Sequence, residues 1–169
     1  MIIIRLVRHD DPLSWAIIQN IGGEVAHAEA IMRGGTVIAA FAEGGVQDRP
    51  MDYDGGKFVK EILFALPADD DMTARFEHYG RACIGESYDF TGLTEFIHLG
   101  VDMHAKHHIF CSALVQDMLR GCLFFSSPLP IPAHYVSPVL LQQELLVRPD
   151  VKVITRDDPI FIAHIGPSP

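Results

Sequence analysis

Residues 25–41, VAHAEAIMRGGTVIAAF, leave the chain few ways to fold. Residues 25–32 read as a strand, Arg33-Gly34-Gly35 as a turn and residues 36–41 as the returning strand, which together predict an antiparallel hairpin. Side chains alternate between the faces of a strand, so Ala26, Ala28 and Ala30 make one smooth, small-residue face on which another element can pack closely. The other face carries His27 and Glu29 side by side. A sheet with something seated tightly against its alanine face is the architecture this pattern demands.

The flanking sequence fits an α+β fold built around that sheet. Residues 1–7, rich in isoleucine, predict a strand ended by His9-Asp10-Asp11-Pro12. Asp11 as cap and Pro12 at the first helical position predict a short helix over 12–19. Gly, Pro and Asp punctuate residues 44–54, which read as loop, and residues 59–66 as a further strand. Asp69-Asp70-Asp71 suits the positive end of a helix over 72–84. Residues 91–100 read as helical and 101–108 as a His-rich link. Leu114, Val115, Met118 and Leu119 recur at helical spacing, which predicts a helix over 111–120 with Gly121 as its cap. The proline-rich segment 126–138 reads as a surface excursion, 139–147 as a short helix, and 151–154 and 160–165 as strands. No repeat or long linker divides the 169 residues, so a single domain over 1–169 is expected, large enough to bury a core without disulfides.

Charge narrows the partners. Thirteen Lys+Arg against 22 Asp+Glu give a formal charge of −9, and the one basic cluster, residues 5–9, runs straight into Asp10 and Asp11. Nucleic acid and anionic membrane surfaces recruit basic patches, so neither is the expected partner. No apolar run approaches a membrane span, and MIIIRLVRHDD is too short for an export signal, which predicts a cytoplasmic protein or delivery by another route such as phage lysis or a secretion system. No phosphate-cradling glycine motif occurs. His104, His107 and His108 lack HExxH or cysteine companions and read as a solvated link, and Asp69–Asp71 lacks calcium-loop spacing, so no metal or cofactor is expected.

Three sets of residues carry potential chemistry. His27 and Glu29 share a strand face, where the carboxylate can orient the imidazole and raise its basicity; the plainer reading is a half-exposed strand with a polar outer side. Cys111, in HHIFCSALVQDML, falls at a helix start, where unpaired N–H groups and the helix dipole favour a thiolate. The plainer reading is a buried structural thiol, which is how Cys83 and Cys122 read; no CxxC pairs any of the three. Tyr88, in GESYDF, offers a phenol for an oxyanion or a substrate carbonyl, or a ring at the rim of the core. Thiol and imidazole on distant segments are how cysteine hydrolases assemble their sites.

Four segments, in order, carry a family resemblance: SWAIIQNIGGEVAHAEAI, TVIAAFAEGGV, GESYDF and IFCSALV, running over residues 14–115. The set resembles the circularly permuted branch of the NlpC-type papain-like cysteine peptidases and amidases, related to the lecithin:retinol acyltransferase group. There the histidine strand precedes the cysteine helix, as His27 precedes Cys111 here. The resemblance implies a permuted papain-like core in which the Cys111 helix packs on an antiparallel sheet bearing His27. By position it implies Cys111 as nucleophile, His27 as general base and acid, and Tyr88 and Ser112 on the substrate or oxyanion side. Many relatives carry a third polar group on the strand after the histidine, but residues 38–41 here read Ile-Ala-Ala-Phe. The orienting role therefore falls to Glu29, with Glu43 as substitute. The expected activity is thiol-dependent hydrolysis of an amide, cell-wall peptide links included, or of an acyl bond in a small substrate. An inactive papain-like binding or virion module is the alternative that the missing polar group favours.

Overall fold

The computed structural model describes residues 1–88, 110–124 and 132–166. Strand β1 (Ile2–His9) lies near the middle of a six-stranded antiparallel sheet, between β2 (His27–Ile31) and β5 (Phe58–Leu66). Beyond β2 come β3 (Thr36–Phe41) and then β4 (Gly45–Pro50); beyond β5 comes β6 (Lys152–Ile154), giving the order β4-β3-β2-β1-β5-β6. Residues 2–7 of β1 are all buried, as a strand covered on both faces requires. Five α-helices are described: α1 (Pro12–Ile21), α2 (Asp70–Ala82), α3 (Cys111–Gly121), α4 (Pro138–Leu146) and α5 (Pro159–Ile165), with a single 3-10 turn at Ala133–Tyr135. None of them is long and apolar enough to cross a membrane.

The expected α+β class and hairpin are present. Met32 and Thr36 close the β2–β3 turn through a 2.8 Å backbone bond, and Gly34 and Gly35 both take positive φ there. The element seated on the alanine face is α3, which packs on β2 and β3. Ala28 and Ala30 are fully buried in the same cluster as Leu114, Val115 and Met118. Burying these apolar side chains contributes about 25 cal/mol for each Å² removed from water. The opposite face buries Ile3, Ile31, Ala39 and Leu63 under Phe161 of α5 and the turn carrying Met51 and Tyr53.

Two segments differ from the sequence expectation. Residues 160–165, expected as a strand, belong to α5: the Asp158 carboxylate accepts the Ile160 N–H at 2.8 Å and Pro159 sits in the first turn. Residues 45–50, expected as loop, form the edge strand β4, where glycine and proline are tolerated because one side needs no sheet partner. The backbone of 85–86 docks on that side, through Gly85 N–H to Val46 O (2.9 Å) and Val46 N–H to Glu86 O (2.8 Å). Gly45 permits this approach, since a Cβ there would stand 2.0 Å from the Glu86 carbonyl oxygen. Residues 91–108, with the His-rich link, lie outside the described residues.

Glu77 ties α2 to the β2–β3 turn. It accepts from Arg33 N–H (2.9 Å), Nε (3.1 Å) and Nη2 (3.3 Å), and from Arg81 (3.2 Å). Burial pushes its pKa up, but the bonds from Arg33 and Arg81 outweigh it and the net shift is downward. A depressed folded pKa gives stability that is full above the ordinary carboxylate range and lost as pH falls through the folded value. Glu77→Gln is expected to cost about 1.5–3 kcal/mol at pH 7, with the gap to wild type closing in acid. Urea midpoints at pH 7 and pH 3 check this.

Candidate active site

His27 opens β2 and Cys111 opens α3, and the fold sets the two side chains against each other, near enough that each charge favours the other. The backbone N–H groups of Ala28 and Ser112 also favour the charged sulfur. Burial opposes ionisation of both partners. It is outweighed at Cys111 by the charge of His27 and by the N–H groups that His27, Ala28 and Ser112 present, which lower the thiol pKa. At His27 it is outweighed by the thiolate and by Glu29, against a smaller opposing effect of Arg5, so the imidazole pKa is raised. The shifts run in opposite directions, each toward the charged form: thiolate at Cys111, imidazolium at His27.

The start of α3 differs from every other described α-helix. Asp11, Asp69, Ser137 and Asp158 each place a side-chain oxygen on a first-turn N–H of α1, α2, α4 and α5. At α3 the capping position holds Phe110, which has no such oxygen. Its first-turn N–H groups are therefore left to the thiolate and to whatever anion forms beside it.

Glu29 stands behind the imidazole, with Oε1 3.4 Å from His27 Nε2. The carboxylate has no exposed surface and is held from two sides: Oε2 accepts from Arg5 Nε, and Oε1 accepts from the Tyr53 hydroxyl at 2.7 Å. Register produces the first contact, since Arg5 of β1 pairs directly with Glu29 of β2. Arg5, itself fully buried, also donates to the Met51 carbonyl (3.0 Å) and faces Glu61 at 3.6 Å. Tyr53 comes from the turn after β4 and lies edge-on to Phe41, whose ring centroid is 5.4 Å from that of His27. Glu43, the substitute orienting group, is exposed on the β3–β4 turn and takes part through its backbone carbonyl, which accepts from Gln47 and Arg49.

Two cavities meet at this pair. One, about 190 Å³, has His9, Asp11, His27, Tyr53, Asp54 and Tyr88 in its wall. The other is narrow, about 30 Å³, and largely apolar, with Ile17, Ala26, Tyr88, Phe110 and Val136 beside Cys111. Tyr88 thus stands between them, its ring edge-on to Phe110. Ser112 shares the wall of the narrow cavity with Cys111, but its hydroxyl donates to the Val136 carbonyl, which leaves its backbone N–H as the group it can offer an oxyanion. Cys83 and Cys122 are buried free thiols in the main core, with pKa values raised by burial, Cys83 to about 11. Sequence reading missed Arg5 and Tyr53; the lone charge inside IIIRLV was the available signal for the first.

No protein-family model matches the chain, and no curated protein does. Among solved structures, it is similar to the metalloprotein yiiX from Escherichia coli O157:H7, with a TM-score of 0.64 over 93% of this chain and 97% of that one. Identity is 15%. The likeness is one of fold. That neighbour is described as a metalloprotein, but no three or more His, Cys, Asp or Glu side chains among the described residues group to hold a metal ion here.

Proposed function

We propose that this chain is a thiol hydrolase with a permuted papain-like core, in which Cys111 is the nucleophile, His27 the general base and acid, and Glu29 the orienting carboxylate. The observation that carries the reading is the juxtaposition of Cys111 and His27 at the one described α-helix start that lacks a side-chain cap. The thiolate attacks a carbonyl carbon, and first-turn N–H groups of α3 meet the oxyanion. Collapse breaks the bond to the leaving amine or alcohol, which takes the imidazolium proton and leaves a thioester on Cys111. Water then gives a proton to His27 and its oxygen to the acyl carbon, releasing the acid and restoring the pair. The substrate is a small amide, peptide or acyl compound.

Iodoacetamide at pH 6, with the modified peptides read by mass spectrometry, tests the reading. Cys111 is expected to react at least about tenfold faster than Cys83 or Cys122, because only a thiolate attacks and each pKa unit is a factor of ten. A Cys111 that stays unmodified in the folded protein at pH 6, while all three label after unfolding, would end the proposal. The absence of a polar side chain over residues 38–41 of β3 favours a second reading, an inactive binding module of the same fold; that reading predicts an ordinary thiol at Cys111.

A further inference from the structure

The Glu29 carboxylate that faces His27 is not self-supporting, and its second brace comes from a segment with no place in the resemblance. On β3 the side chains nearest the pair are Ala39 and Phe41, neither of which offers a hydrogen bond. Tyr53 reaches the same place from the turn after β4. Its hydroxyl, 2.7 Å from Glu29 Oε1, meets the same oxygen that His27 Nε2 faces at 3.4 Å. A phenol has one proton and a carboxylate only accepts, so that proton belongs to Glu29. The Tyr53 oxygen is then left to accept from His9 Nε2, 3.3 Å away, and Asp54 Oδ2 lies 3.5 Å from His9 Nδ1 on the far side. Burial and the Glu29 charge raise the Tyr53 pKa, which keeps the hydroxyl a donor. The ring is wedged as well: Phe41 sits edge-on at 5.1 Å, between Tyr53 and His27.

We propose that Tyr53 is a positioning residue, whose hydroxyl fixes Glu29 Oε1 so that the carboxylate holds the His27 ring toward Cys111. The role rests on the thiol-hydrolase reading and supplies what β3 lacks. Tyr53 touches neither the thiol nor a reacting carbonyl; it acts through Glu29 alone.

The test needs no substrate. The pH midpoint for alkylation of Cys111 by iodoacetamide is measured in wild type and in Tyr53→Phe, with urea unfolding alongside. Phenylalanine keeps the ring against Phe41 and removes only the hydroxyl. The charged and titratable groups around His27 are Glu29, Arg5, His9 and Asp54, with Asp11 across the cavity, and all remain. The midpoint is expected to rise by about half to one pH unit, which slows labelling at pH 6 roughly three- to tenfold. In a Glu29→Gln background the same substitution is expected to add no further shift, because its route has been removed. A merely structural tyrosine would lower the urea midpoint and leave the alkylation midpoint where it was. A low wild-type midpoint that Tyr53→Phe leaves unchanged overturns this role alone, as does an equal shift in both backgrounds. An ordinary thiol midpoint in the wild type overturns the hydrolase reading and this role with it.

Discussion

Arg5→Met is expected to lower the free energy of unfolding by about 3–5 kcal/mol, read from urea unfolding at pH 7. Methionine fills much of the space and suits a strand buried on both faces, so lost packing is not the source. The cost lies in what the guanidinium leaves behind. Glu29 has no exposed surface and would keep a single strong donor, the Tyr53 hydroxyl. The Met51 carbonyl would lose its partner and Glu61 its more distant cation, 3.6 Å away, while Arg156 still pairs with Glu61 at 2.6 Å and 2.9 Å. A buried ion pair deprived of one member is much worse than no pair, because the remaining charge has neither water nor counter-charge. Arg5→Met with Glu29→Leu is therefore expected to regain most of the loss. A double variant no more stable than Arg5→Met would show that packing at position 5, and not the stranded carboxylate, sets the cost. Recovery in the double variant would show that the fold does not require this pair.

Local chemistry was legible; of the contacts between distant segments, only the packing of the Cys111 helix on the His27 strand was, through the resemblance. The Asp11-Pro12 start, the Arg33-Gly34-Gly35 turn and the alanine face each state their structure in a few adjacent residues. The shared face of His27 and Glu29 follows from a period of two, and the place of Cys111 from the apolar spacing that follows it. Asp158-Pro159 carries the same start signal as Asp11-Pro12, yet the apolar run of 160–165 reads as a strand until the cap on Ile160 is seen. Edge strand β4 hides for a physical reason: half of it faces solvent, so its composition resembles a loop. The brace on Glu29 hides for another. Which residue of β1 lies beside Glu29 depends on the β1–β2 register, and Tyr53 arrives only because the segment after β4, which ends beside Thr36, crosses back over the sheet face to reach β5 beside His9.

His27→Ala is expected to cut the rate at which iodoacetamide modifies Cys111 at pH 6 by about tenfold to a thousandfold. Two sources of thiolate stabilisation compete in this site, and their sizes differ. An uncapped helix start contributes about 0.3–1 kcal/mol, less than one pKa unit. A hydrogen-bonded opposite charge moves a pKa by about 1–3 units. Without the imidazole, the N–H groups of Ala28 and Ser112 remain to oppose burial, and burial is the largest single influence on this thiol. The sign follows from the protons. On the proposed reading His27 holds the proton that Cys111 gives up, so in wild type the thiolate is expected from the acid edge, where Cys111 takes up a proton, through neutral pH. Above the raised pKa of His27 the imidazolium is lost, and with it the stability the pair contributes at lower pH. In His27→Ala only one edge remains, and it moves toward alkaline pH. Cys111→Ala, labelled in parallel, identifies the modified peptide. A His27→Ala variant that reacts as fast as wild type at pH 6 would assign the thiolate to the helix start alone and leave Glu29 and its braces without a chemical role.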